Sequence, residues 1–183
     1  IPADVSTHSK LGIFPEIRKA EAKYMPVILR QVLIESGDWG VVRVLPEALE
    51  SSELLVTGTI LHSDGQRLEL HIQARDATGA QWLDKVYAGA TTPADYPVKV
   101  PGDPFLGVYM QIAGDLLAVR QQQGARQLAD IRQVALLRYA SGLAPEAFGS
   151  YLARTPTGGY ALQRLPAADD PMLVRINRIR EQE

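Results

Sequence analysis

The chain has 183 residues, of which 46% are apolar and 22% charged, with a formal net charge of −2 and no cysteine. This is the composition of one globular domain, or one domain with a small appendage, able to bury a core without cross-links. It excludes disulfides, thiolate nucleophiles and thiolate metal sites, gives no electrostatic footprint for nucleic acid, and contains no apolar run near the ~20 residues that span a bilayer.

In chain order, Ile1 to Phe14 has little periodicity and reads as a lead-in. Pro15 suits the first turn of a helix whose stripe is Ile17, Tyr24, Ile28, Val32 and Leu33, with Gly37 as its stop. Pro26 falls inside this pattern, so a kink or a fresh start is expected there. Trp39 to Pro46, a β-branched run ending in proline, reads as a fourth strand that delivers the chain to a sheet edge.

The stretch Leu54 to Tyr87 holds three extended runs separated by Asp64-Gly65 and by Asp76-Ala77-Thr78-Gly79. In the middle run Leu68, Leu70, Ile72 and Ala74 alternate with Glu69, His71, Gln73 and Arg75, which puts apolar groups on one face and polar groups on the other. That pattern predicts a half-buried antiparallel meander. Gly58 marks a bulge or a close approach. Ala88 to Gly102 carries three prolines and reads as a long loop, functional or mobile. Asp103-Pro104 is an N-cap followed by proline and opens a helix with Leu106, Tyr109, Ile112, Ala113, Leu116 and Leu117 in step.

Beyond Gly124, Ala125 to Ser141 reads as a helix, Pro145 to Ala153 as a short helix, Thr155 to Gly159 as a loop, and Asp170-Pro171 as the start of a last helix. The expected fold class is therefore α+β. Residues 1–124 form a two-layer sandwich, a four-stranded and mostly antiparallel sheet with two helices on one face, and residues 125–183 form an all-α tail. The first residue is Ile1, and the last segment reads as a helix running off the end, so the natural protein is expected to be longer on at least one side.

No residue set announces a chemistry. His62 ends the first meander strand and His71 lies on the polar face of the second. Without a carboxylate-rich partner motif they read as solvated positions rather than metal ligands. Asp76 reads as a turn residue bonding its own backbone, and Asp103 and Asp170 as caps. Asp84 and the pair Asp169-Asp170 are weak candidates for acid–base work or a cation. There is no G-x-S-x-G, G-x-G-x-x-G or P-loop pattern, and Thr157-Gly158-Gly159 reads as a turn. No catalytic residue, no cofactor and no metal is expected. What remains is binding surface: Trp39, Tyr96, Trp82 and Tyr87 are the candidate partner contacts, together with a sheet edge.

The V-x-G-x-I of Val56, Gly58 and Ile60, the alternation of Leu68, Leu70 and Ile72, Asp76 with Thr78-Gly79, and Trp82 after them resemble the TolB amino-terminal-like fold. Its relatives include LpoB-type penicillin-binding-protein activators, CsgG-type curli secretion lipoproteins and FlgO/FlgT flagellar envelope proteins. The resemblance covers roughly residues 14 to 123 and does not extend to the tail. It implies a non-enzymatic protein-binding or scaffolding module of a Gram-negative envelope assembly or secretion system. Such a module is periplasmic or outer-membrane-anchored, often a lipoprotein whose anchor precedes this chain, with an envelope protein or a further copy of itself as partner. The competing expectation is an envelope hydrolase or glycan-binding protein with a site between sheet and tail, gathering His62 or His71 with Asp84 or Glu69.

Overall fold

A computed structural model describes residues 15–91, 103–167 and 169–182. Its elements are α1 (Pro15–Glu35), β1 (Leu54–Ser63), β2 (Arg67–Asp76), β3 (Gln81–Ala90), α2 (Leu106–Gln122), α3 (Ala125–Leu143), α4 (Pro145–Phe148), β4 (Leu152–Arg154), β5 (Tyr160–Leu162) and α5 (Pro171–Gln182). A 3-10 turn, Gly149–Tyr151, joins α4 to β4. The strands form a three-stranded sheet of order β1-β2-β3 and a two-stranded antiparallel ribbon β4-β5.

This corrects the expected four-stranded sheet with an all-α tail. The run Trp39 to Pro46 has no strand among the described residues. Side chains hold its backbone instead: Arg30 Nε donates to Val42 O at 3.0 Å, and Arg120 donates to the carbonyl of Asp38 just before the run. Val41 is 83% exposed, so the run also lacks the buried face that would hold it in a sheet. In the tail, β4 takes the end of the expected short helix, and the expected loop Thr155 to Gly159 is the turn that joins β4 to β5. Three-residue strands are too short to show a period; only their partner defines them. The expected break at Pro26 is likewise absent, since α1 runs through it and forgoes only the bond that its missing N–H would have made.

The meander forms as its alternation predicts. Leu68, Leu70, Ile72 and Ala74 are buried while Glu69, His71 and Gln73 are half-buried and Arg75 is exposed. Each large apolar side chain fully buried this way contributes about 1.5–3 kcal/mol. Gly58 marks a close approach, because a Cβ there would lie 3.2 Å from Ile72 Cδ1. Both aspartate caps are made: Asp103 Oδ1 accepts Phe105 N–H at 2.7 Å, and Asp170 Oδ1 accepts Met172 N–H at 2.8 Å.

The contacts divide the chain into two compact units. The first takes residues up to Pro46, Gly58–Ile72 and Asp84–Arg120; the second takes Glu47–Thr57, Gln73–Leu83 and Gln121–Glu183. The break that the sequence marks at Gly124 falls between α2 and α3, but the second unit also claims one end of each meander strand.

In the first unit, α1 and α2 each bond to a meander strand. Arg18 donates to Ser63 O at 3.0 Å, and Ser63 Oγ donates to Glu21 at 2.6 Å. On α2, Asp115 accepts from both Lys85 and Tyr87 at 2.7 Å, and Gly89 leaves the room that Val108 fills.

In the second unit, α3 is the central element. Its Ile131, Val134 and Ala135 form one buried cluster with Ala77, while Leu137 and Ala140 form another with Phe148 and Ile176. Leu152 and Leu162, opposite each other in the ribbon, pack against both clusters.

Candidate functional site

The second unit carries an open groove of about 540 Å³. One wall comes from the start of α3, where Arg126, Gln127 and Asp130 stand above Val134; the other is β5 and the residues that follow it, to Leu165. Thr78, in the turn between β2 and β3, closes one side.

Local chemistry holds that turn rigid. Asp76 Oδ1 accepts the N–H of Thr78 at 2.8 Å, the hydroxyl of Thr78 at 2.5 Å and the N–H of Ala80 at 3.2 Å, and Oδ2 accepts the indole N–H of Trp82 at 2.9 Å. The carboxylate is 4% exposed and satisfied on both oxygens, so it anchors the turn rather than serving as an acid or base.

The ribbon turn is held in the same manner. Gly158 N–H donates to Thr155 O, Gly159 N–H donates to Thr155 Oγ1, and Gly158 has φ +82°. The two turns then meet. Tyr160 N–H donates to Thr78 O at 2.8 Å, and a Cβ on Gly159 would lie 2.2 Å from that same oxygen. The glycine pair therefore serves backbone contact.

The guanidinium groups of Arg138 and Arg154 stand over the Tyr160 ring at 4.4 and 4.1 Å. Arg138 also donates to Ala77 O and Glu50, so its charge is largely compensated. Arg164 lies over the Tyr151 ring and donates to Ser150 Oγ, both neutral partners. Among the described residues Arg126, Arg154 and Arg164 make no ion pair, and Asp130 is the one acid in the groove wall. The lining thus offers cationic donors and amides over an apolar floor of Val134 and Leu162.

The candidate contacts named from the sequence do not converge. Trp39 is half-buried with the Arg120 guanidinium 5.4 Å from its ring centre. Trp82 is half-buried against the α3 cluster and tied to Asp76. Tyr87 is 2% exposed. Burial, with its bond to Asp115, pushes the Tyr87 hydroxyl above the ordinary tyrosine range. Tyr96 lies outside the described residues, as does most of the proline-rich loop.

His71 Nε2 does meet Asp84 Oδ1, and His62 Nε2 meets Asp64 Oδ2 at 2.9 Å. Both pairs lie on partly exposed strand or turn surface, and neither contributes to the groove wall. Among the described residues no three histidine or acidic groups are placed to hold a metal ion, and no helix is long and apolar enough to cross a membrane.

The groove residues Gln127, Asp130, Tyr160 and Arg164 were not singled out by sequence reasoning. A usable signal was present: Tyr151-Leu152-Ala153-Arg154 and Tyr160-Ala161-Leu162-Gln163 are similar short runs flanking Thr-Pro-Thr-Gly-Gly, which is a hairpin pattern. Comparison with protein-family models, curated proteins and solved structures gives no match.

Proposed function

We propose that this chain is a non-enzymatic, protein-binding scaffold module of the bacterial cell envelope, and that its partner enters the groove between α3 and β5. The envelope setting follows from the resemblance of Leu54 to Tyr87. The binding role is supported by the groove itself: arginine and amide side chains line an apolar floor, with no nucleophile–base pair beside them among the described residues. A protein segment suits this lining better than a glycan, because two guanidinium groups already lie over the Tyr160 ring on which a sugar would stack.

The test is photo-crosslinking from Gln163 in the full chain, in envelope extract, with Gln182 as an exposed control position. One or two envelope proteins captured at Gln163, absent at Gln182 and lost in the double variant Arg126→Glu, Arg164→Glu, is the expected result. Equal capture from both positions, or capture that survives the charge reversal, overturns the reading.

A further inference from the structure

We infer that the groove binds its partner as an added β-strand on the outer edge of β5, and that the bound segment is extended and acidic. This rests on the binding role proposed above and specifies how it is performed.

The ribbon's register decides which backbone groups are free. Gln163 N–H donates to Tyr151 O at 2.9 Å, and Thr155 N–H donates to Gly159 O at 3.0 Å. In an antiparallel pair, hydrogen-bonded and non-hydrogen-bonded positions alternate. Ala153 and Ala161 are therefore the bonded pair between these two. Tyr160 and Leu162, opposite Arg154 and Leu152, turn their backbone groups away from β4. On that outer edge Tyr160 N–H is taken by Thr78 O. Among the described residues no other backbone bond reaches the carbonyl of Tyr160 or the N–H and carbonyl of Leu162, along the strand that forms the groove wall.

An edge of this kind is a template for an incoming strand, and main-chain bonds supply the affinity. β5 spans about 10 Å, enough for a short stretch of partner. The Thr78 carbonyl marks where that stretch must stop, because the edge is already occupied there. Side chains supply selectivity. Among the described residues Arg126 and Arg164 in the wall, and Arg154 on the paired strand, make no ion pair, and Asp130 is the single acid in the wall. A segment with acidic residues flanking a short β-branched run matches this balance.

The probe is a capped peptide of alternating valine and threonine flanked by glutamates, added to the full chain and read by amide hydrogen exchange in NMR. At saturation the Leu162 amide should slow by at least about tenfold, while the Ala161 amide, already bonded to β4, should not change. N-methylation of the peptide at alternate residues, on the side that faces β5, should weaken binding by about tenfold or more, as should Arg126→Glu at an exposed position. Peptide-induced shifts at Arg126 and Arg164 without slowing at Leu162 would overturn strand addition while leaving the crosslinking result, and so the binding role, intact. Absence of binding by the acidic peptide also overturns the inference. Protection of Leu162 that rises with protein concentration alone would overturn it in favour of a second copy of the chain. Loss of groove-specific crosslinks is the separate sign that the binding role itself fails.

Discussion

The indole N–H of Trp82 donates to Oδ2 of Asp76 at 2.9 Å, which completes the set of bonds around a carboxylate that is 4% exposed. The other oxygen serves Thr78 twice and Ala80 once. Asp76→Ala leaves these donors unpaired in a partly buried place and should cost about 3 kcal/mol. Asp76→Asn keeps the shape and one acceptor oxygen but opposes its amide hydrogens to the indole N–H, so it should fall between wild type and alanine. Thermal denaturation of the three proteins checks the order; an asparagine variant as stable as wild type would show that the indole bond contributes nothing.

Two adjacent glycines should respond differently to alanine. At Gly159 the new Cβ would lie 2.2 Å from Thr78 O, a backbone atom that cannot yield cheaply, and the loss should be about 3 kcal/mol. At Gly158 nothing lies within 4 Å, and only its φ of +82° opposes the change, at about 1 kcal/mol. Urea titrations of both variants separate close approach from conformational strain. Equal losses would mean that the contact between the turns is slack.

Asp64 is held down to about 2 by its bond to His62 and by the N–H groups of Arg67 and Gln66. Its folded-state value lies below the ordinary value near 3.8, so its contribution is present above pH ~4 and is lost as pH falls toward 2. An NMR titration of the Asp64 carboxyl carbon should give a midpoint about 2, and His62→Ala should raise it. A midpoint near 4 in the wild type would refute the contact.

Tyr87 and Tyr109 are both pushed above the ordinary tyrosine range. Burial is the main cause, followed by Asp115 at Tyr87 and by the charge of Asp103 at Tyr109. Groups raised in this way stabilise the fold fully below pH ~10, and that contribution is lost as pH rises further. Alkaline difference spectroscopy should show Tyr87 and Tyr109 ionising only with unfolding. Tyr87→Phe, which deletes the bond to Asp115, should cost about 1 kcal/mol.

The sequence alone determined the meander, its buried face and its turns, because alternation, Asp-Gly and Asp-x-Thr-Gly act over a few residues. It also determined the aspartate caps of α2 and α5, which depend on the next two or three N–H groups. Tertiary structure decided the rest. Whether Trp39 to Pro46 became a strand depended on Arg30 reaching the Val42 carbonyl first and on Arg120 holding the Asp38 carbonyl just before the run. Whether Leu152 to Arg154 and Tyr160 to Leu162 became strands depended on each other and on Thr78, some eighty residues earlier, accepting Tyr160 N–H. Local propensity cannot specify which distant group satisfies a backbone N–H or carbonyl, and in this protein those long-range partners decide both where the second sheet forms and which of its edges stays open.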